Sequence, residues 1–150
     1  MTRRNWTREE TLLALYLYCK TPFSKIHKGN KDIIEFAKLI DRTPSALGLK
    51  MCNLAAVDPT LKQNGMKHSS KLDAEIFNEF YNNWEDLAIQ AYSILKNLNP
   101  SNSLSKIIEK DIPVGVNKVS VIKQRVGQDF FRKSVLAAYN MQCCITGLSD

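Results

Sequence analysis

The strongest constraint on the fold is the helix start at Thr43-Pro44, which fixes where one short helix ends and another begins. Thr is a favoured N-cap residue, and Pro suits the first helical position because its missing N–H has no intrahelical partner there. Asp41-Arg42 makes a tight break after a short helix that Asp32 can cap. The pattern therefore predicts two short helices joined by a tight turn, and Asp58-Pro59 ends the second helix.

Another helix is predicted upstream, from about residue 8 to residue 20. Thr7 and Glu10 have the spacing of a capping box, and apolar residues follow at helical spacing until Thr21-Pro22. Residues 23–30 are predicted to form a loop that concentrates lysines and a histidine. Three short helices with a tight turn before the third favour a mainly α module.

The acidic middle of the chain is predicted to form one long helix. Ser70-Lys71-Leu72-Asp73 opens it, and apolar residues follow at steps of three or four up to Leu95. Residues 69–100 hold two basic and five acidic side chains, a net charge of −3. The apolar stripe of this helix is a candidate interface with a second copy of the chain, which would make a homodimer.

Downstream, the turn-forming residues from Asn97 to Ser103 indicate a linker, and irregular sequence continues to residue 127. Weak alternation over residues 116–121 predicts one short strand there. A last helix is predicted from Asp129 to Asn140.

The net charge of +6 is unevenly distributed. Residues 1–68 hold twelve basic and six acidic side chains, a net +6, and residues 101–150 hold seven and four, a net +3. Two basic segments thus flank the acidic middle. They favour a polyanionic partner, and charge alone leaves a merely solvated basic surface as the alternative.

Composition is ordinary for a globular chain, with 44% hydrophobic and 24% charged residues. No apolar stretch approaches the roughly 18 residues of a membrane span, and the N-terminus lacks a signal-peptide pattern. A cytoplasmic location without membrane contact is predicted.

The sequence contains no Cys-x-x-Cys pair. Its cysteines are therefore predicted to be reduced and free of metal: Cys19, Cys52, Cys143 and Cys144. The two histidines have no partner at ligand spacing.

The C-terminal stretch reads Gly127-Gln128-Asp129-Phe130-Phe131-Arg132 and later Tyr139-Asn140-Met141-Gln142-Cys143-Cys144-Ile145-Thr146-Gly147. It resembles the opening of the HNH nuclease domain in bacterial restriction endonucleases. In that family Gln-x-x-Phe-Arg begins a helix, and Tyr-x-x-x-Cys-x-x-Thr-Gly forms the turn that follows. The resemblance implies that the catalytic His and Asn residues, with a divalent metal expected to be Mg²⁺, belong to sequence after Asp150. No catalytic residue and no metal ligand is assigned within this chain.

The resemblance also implies that residues 128–150 are the truncated start of a ββα-metal domain. The apolar face of its first helix would then lack its family partner. That face carries Phe130, Phe131, Val135 and Leu136. We expect it to be disordered, docked on the long fourth helix, or paired with a second copy of the chain.

Two N-terminal motifs carry a second resemblance. Asn5-Trp6-Thr7-Arg8-Glu9-Glu10 is similar to the Trp-Thr-x-Glu-Glu opening of Myb/SANT repeats, and Arg42-Thr43-Pro44-Ser45-Ala46 to the start of a recognition helix in Myb-like and helix-turn-helix modules. This resemblance implies double-stranded DNA as the partner, with the third helix in the major groove. SANT-like domains also bind proteins, so a protein partner stays open.

Polar residues on and near the recognition helix are the expected DNA contacts. Arg42 and Lys50 suit phosphates or guanine edges, and Asn53 suits adenine. Arg132 matches the opening helix of the nuclease and suits the DNA backbone, unless it pairs with Asp129. The full expected set is Arg42, Thr43, Ser45, Lys50, Asn53 and Arg132.

These features predict a mainly α chain: a helical DNA-binding module over 1–68, a spacer helix over 69–98, a linker over 99–127, and the nuclease start over 128–150. The predicted function is the DNA-binding, specificity portion of an HNH-type endonuclease that hydrolyses phosphodiester bonds. Two alternatives stay open: a stand-alone helical DNA-binding regulator, and a SANT-like protein-interaction module.

The purified chain is expected not to cut DNA, because no pair of its residues is assigned both to activate water and to hold a metal in the HNH manner. Incubating supercoiled plasmid with the chain and Mg²⁺ or Mn²⁺ tests this. Nicking above a buffer control that disappears in a His27→Ala or His68→Ala variant would show the assignment to be wrong.

Overall fold

The computed structural model describes residues 5–58, 69–101 and 103–138, and all regular structure within these ranges is helical. The mainly α prediction is therefore confirmed. The elements, in chain order, are α1 (Arg8–Lys20), a 3₁₀ turn (Phe23–Lys25), α2 (Lys31–Leu39), α3 (Pro44–Ala55), α4 (Lys71–Phe80), α5 (Trp84–Leu98), α6 (Ser103–Ile108) and α7 (Lys118–Ala138).

α1 is the centre of the bundle, since every side chain from Thr11 to Tyr18 is buried. It contacts α2, α3, α4, α5 and α7. A helix that is apolar on all sides has to be covered on all sides. The hydroxyl of Thr11 donates to the carbonyl of Thr7 at 2.8 Å, so the polar group that α1 buries there is satisfied.

The helix starts follow local chemistry, and most were predicted. Thr7 Oγ1 accepts from the Glu10 N–H at 3.2 Å, and Thr43 Oγ1 accepts from the Ala46 N–H at 3.1 Å. The expected cap of α2 is wrong by two residues, because Asn30 rather than Asp32 fills that position. The Asn30 side-chain oxygen accepts from the Asp32 N–H at 2.9 Å.

The turn between α2 and α3 is as tight as predicted. Asp41 has a φ of 56°, which lies in the left-handed region that Asp tolerates better than most residues. The Arg42 N–H donates to the Ala37 carbonyl at 2.9 Å, and the Asp41 N–H donates to the Lys38 carbonyl at 3.3 Å. This pair of bonds is a Schellman motif in which Asp takes the usual place of Gly.

The predicted long helix is wrong, because it is two helices. α4 begins with a full capping box between Ser70 and Asp73, as expected, but it ends at Phe80. Asn82 has a φ of 64°, and the Asn83 N–H donates to the Phe80 carbonyl at 2.8 Å before α5 begins. Asn adopts this conformation readily, so the apolar stripe continues across a corner rather than along one axis.

The predicted linker and strand are also wrong in their structure. α6 and the first part of α7 lie within residues 99–127, and residues 118–121 are helical. The alternation that predicted a strand does not reflect a buried face, because Val119 is exposed and lies on α7. The buried stripe of α7 has helical spacing instead, through Val126 and Phe130, with Ile122 partly buried against the same core.

α7 is docked, which is one of the three expected outcomes for its apolar face. It contacts α1 and also α5, the second half of the predicted fourth helix. The Phe130 ring is buried and stacks on the Tyr16 ring with centroids 5.4 Å apart. Phe131 and Val135 remain exposed, and the rest of the expected tail, residues 139–150, lies outside the described residues.

Two adjacent phenylalanines provide a matched test of this docking. Phe130 is 4% exposed and Phe131 is 71% exposed. We expect Phe130→Ala to lower the free energy of unfolding by about 3–5 kcal/mol, because it leaves a cavity against Tyr16. Phe131→Ala should change it by about 0.5 kcal/mol or less. Urea unfolding measures both, and equal effects would contradict the docking of α7.

Candidate nucleic-acid interface

The first turn of α3 presents two of the predicted contacts to solvent. Thr43 and Ser45 are exposed, and the Thr43 hydroxyl can still donate outward while its oxygen accepts from the Ala46 N–H. Leu49 lies one turn further along and is 50% exposed. Asn53 is half-buried near the end of the helix. The exposed face of α3 is therefore polar and apolar but uncharged.

Arg42 faces the protein rather than solvent. Its side chain is only 10% exposed, and its guanidinium forms an ion pair with Glu10 at 2.7 Å. Nη2 also donates to the Asn5 carbonyl at 2.8 Å. These contacts use the donors that a phosphate or guanine would need, so the expectation that Arg42 is available to DNA is wrong.

Lys50 is the second predicted contact that the structure places inside. It is buried at 4% exposure, and its ammonium pairs with the carboxylate of Asp73, which is fully buried at the start of α4. The expectation that Lys50 is exposed is wrong. Asp73 also accepts from the Ser70 N–H at 2.9 Å, so one carboxylate both caps α4 and neutralises a cation of α3.

The Trp6 ring joins these two cations. The Arg42 guanidinium lies 4.2 Å from the ring centroid and the Lys50 ammonium lies 5.1 Å from it. Both distances are within the range of a cation–π contact, which strengthens when the cation is shielded from water. We call Glu10, Arg42, Trp6, Lys50 and Asp73 the internal cation cluster. It fixes α1, α3 and α4 to one another, and no feature of the local sequence pattern identifies it.

Exposed cations lie instead on the segment that leads into α2 and at the first residue of α2. Lys25, Lys28 and Lys31 are exposed, together with His27. No acidic residue occurs from Phe23 to Lys31, so the positive charge is not neutralised within the segment. The sequence predicts a basic loop over residues 23–30 but gives no motif that would identify its lysines as a binding site.

α7 is the second exposed basic element. It carries five basic residues and one acidic residue, a net charge of +4. Asp129 pairs with Lys133 at 3.2 Å rather than with Arg132. Arg132 is exposed and makes no ion pair with another residue in the described ranges. It is therefore the one charged member of the predicted set that is free to meet a ligand, as far as those ranges show.

The two described cysteines, Cys19 and Cys52, are unreactive as nucleophiles. Burial, and then the nearby Asp58 carboxylate, raises the pKa of the Cys19 thiol, and burial raises the pKa of Cys52. Both therefore stay protonated near neutral pH, which is the unreactive form. The Tyr18 hydroxyl donates to Asp58 at 2.6 Å, and burial followed by this bond raises the pKa of Tyr18. These groups hold the end of α3 to α1 and offer no nucleophile.

Comparison of the chain with known protein families, curated proteins and solved structures found no match.

Across residues 5–58, 69–101 and 103–138, no three His, Cys, Asp or Glu side chains are grouped to hold a metal ion. In the same ranges no helix has both the length and the apolar character needed to cross a bilayer. The candidate interface therefore depends on the geometry and charge of the chain itself.

The Lys50–Asp73 pair makes a quantitative prediction. Lys50→Met should lower the free energy of unfolding by about 3–5 kcal/mol, because it leaves a buried carboxylate without its cation. The double variant Lys50→Met/Asp73→Asn should recover much of this loss, since it removes both charges. Lys71→Met is the control, because Lys71 pairs with Glu75 at 3.9 Å on the surface. It should cost about 0.5 kcal/mol or less.

Urea unfolding of the wild type, Lys50→Met, Asp73→Asn and the double variant measures this interaction as a double-mutant cycle, with Lys71→Met as the surface control. A Lys50→Met variant no less stable than Lys71→Met would mean that the pair contributes nothing and that Lys50 can leave the core.

Proposed function

We propose that this chain is the DNA-binding, specificity portion of an HNH-type endonuclease. In this proposal the first turn of α3 enters the major groove, and Lys25, Lys28 and Lys31, just before and at the start of α2, contact phosphates. The observation that carries the proposal is that Lys25, Lys28 and Lys31 are exposed and form no ion pair within the described residues, just before and at the start of α2, which a tight turn joins to α3.

The arrangement of α2 and α3 supports the first part. A tight turn joins them, and α3 begins with exposed hydroxyl groups on Thr43 and Ser45. Recognition helices contact bases and phosphates from their first turns, and short hydroxyl side chains can donate to either. The helix N-terminus also adds backbone N–H groups that favour a phosphate.

The charge distribution supports the second part. Neutralising DNA phosphates with lysines releases condensed counterions, which supplies most of the sequence-independent affinity. Lys25, Lys28 and Lys31 can make such contacts without first breaking an ion pair within the described residues. Arg42 and Lys50 then have a different role, since the internal cation cluster holds α3 at a fixed angle to α1.

α7 supports the part of the proposal that places this chain in an HNH-type endonuclease. Gly127, Gln128 and Arg132 carry the resemblance to the opening helix of an HNH domain, and they lie on a single helix here. Arg132 is exposed and the helix has a net charge of +4, from five basic residues minus one acidic residue. A second phosphate contact through this helix fits the same proposal.

A protein-interaction module of the SANT-like kind is the second candidate. Leu49 on α3 is 50% exposed and Ile34 on α2 is 44% exposed, while the described surface of α3 carries no cation. Exposed apolar side chains on a recognition helix suit a protein partner better than a phosphate. The two candidates differ in their salt dependence, because only DNA binding through lysines releases counterions.

Binding of a short duplex, titrated by fluorescence anisotropy at several salt concentrations, tests the proposal. We expect log Kd to rise linearly with log salt. The triple variant Lys25→Gln/Lys28→Gln/Lys31→Gln should reduce that slope by up to about 3, which is close to one per lost phosphate contact. Thr43→Ala/Ser45→Ala should weaken binding with little change of slope, because hydroxyls release no counterions.

The control triple is Lys71→Gln/Lys106→Gln/Lys110→Gln, which removes the same charge from exposed lysines elsewhere. It should leave the slope nearly unchanged. If both triple variants reduce the salt slope equally, DNA binding depends only on the net charge of the chain. The proposed location of the interface would then be wrong. An affinity that does not respond to salt would favour the protein-interaction module.

A further inference from the structure

A pocket of about 220 Å³ opens at the C-terminal end of α1. Side chains of α1, α2, α5, α6 and α7 line it. Most of its wall is apolar and includes Leu39, Leu95 and Ile107. Its polar groups are Lys20, Lys133, Asp32 and Glu35, so an amine and an apolar cavity lie together.

Lys20 has an unusual setting for a lysine. Its ammonium donates to the Tyr16 hydroxyl at 3.0 Å and lies 4.3 Å from the centroid of that ring. It makes no ion pair with another side chain of the described residues. A half-buried amine in contact with a neutral phenol loses hydration without forming a direct ion pair in return, which favours the uncharged form.

The charged groups around Lys20 act in both directions. Burial, and then the Lys133 ammonium, lowers the pKa of Lys20 to about 8. Asp129 on α7, with Asp32 and Glu35 on α2, opposes this shift. The lowering effects win, so a substantial share of Lys20 is a free amine near neutral pH. A lysine desolvated in an apolar pocket beside another cation is a standard way to activate an amine.

We propose that Lys20 is a nucleophilic amine and that its pocket binds a small aldehyde with an apolar chain as an imine. The carboxylates of Asp32 and Glu35 balance the amines of Lys20 and Lys133 in the pocket lining, so no net positive charge favours an anion and a neutral carbonyl compound fits. The volume holds about seven water-sized groups at roughly 30 Å³ each, which suits an aldehyde the size of hexanal.

The chemistry balances without any further cofactor. The nitrogen lone pair of Lys20 forms a bond to the carbonyl carbon, and the C–O π electrons move to oxygen. That oxygen then leaves as water with the two amine hydrogens, and a C=N bond remains. The apolar chain of the aldehyde would lie against Ile107, which is otherwise 64% exposed to water.

Reductive trapping tests the proposal on the whole chain. The protein is incubated at pH 7 with hexanal and cyanoborohydride, whose hydride converts the imine to a stable secondary amine. The alkylation rate of each lysine is then measured by peptide mass spectrometry. A pKa near 8 gives a free-amine fraction about a hundredfold or more above that of an ordinary lysine. A weaker base is also a weaker nucleophile, so the rate advantage should be smaller than the difference in free-amine fraction. We therefore expect Lys20 to react at least about tenfold faster than exposed Lys38.

Formaldehyde separates the pocket from simple amine reactivity, since it has no chain to bind. The rate ratio of Lys20 to Lys38 should be clearly higher for hexanal than for formaldehyde. Ile107→Ser alters an exposed part of the wall without touching the core, and it should lower the hexanal ratio while sparing the formaldehyde ratio. Lys133→Met should slow Lys20 with both aldehydes, because it removes the neighbouring cation.

Each contrary result is decisive. If Lys20 reacts no faster than Lys38 with hexanal, the amine is not activated and the proposal is wrong. If the ratio is the same for both aldehydes, the pocket does not hold the chain and the ligand assignment is wrong.

Discussion

The burial of α1 on every side is the constraint on which the other elements depend. Its side chains from Thr11 to Tyr18 lie in the core, so no face of this helix can be left to water. Within the described residues, α2, α3, α4, α5 and α7 contact it and together cover it. α3 and α7, which carry the candidate interface, are therefore positioned by their contacts with α1 and not by the segments that join them in sequence.

The internal cation cluster explains why two residues that the motif resemblance assigns to DNA contact lie inside the protein instead. A helix–turn–helix pattern places Arg42 and Lys50 where many recognition helices carry surface cations. Here each cation meets a carboxylate far away in sequence, and Arg42 and Glu10 are separated by 32 residues. Local periodicity cannot register a partner at that distance. The pattern thus located the helix correctly and misassigned the two residues that hold it in place.

Features decided within a few residues were predictable. Thr43 caps α3 through an amide three residues on, and Ser70 and Asp73 cap α4 in the same way. Features decided by packing were not. The corner at Asn82 interrupts an apolar stripe that reads as one helix, and α7 begins where alternating valines indicate a strand. In both places tertiary contacts with α1 select among local conformations that the sequence permits.

The stacking of Tyr16 on Phe130 joins α1 to α7, which lie far apart in the sequence. A ribosome exports α1 long before α7, so the nascent chain carries an aromatic and aliphatic helix whose covering partner has not yet been made. Such contacts between distant parts of a chain slow folding, because the intervening loop has to close before they form. The order of synthesis therefore sets a period in which α1 is exposed to self-association, and it ends only when α7 docks.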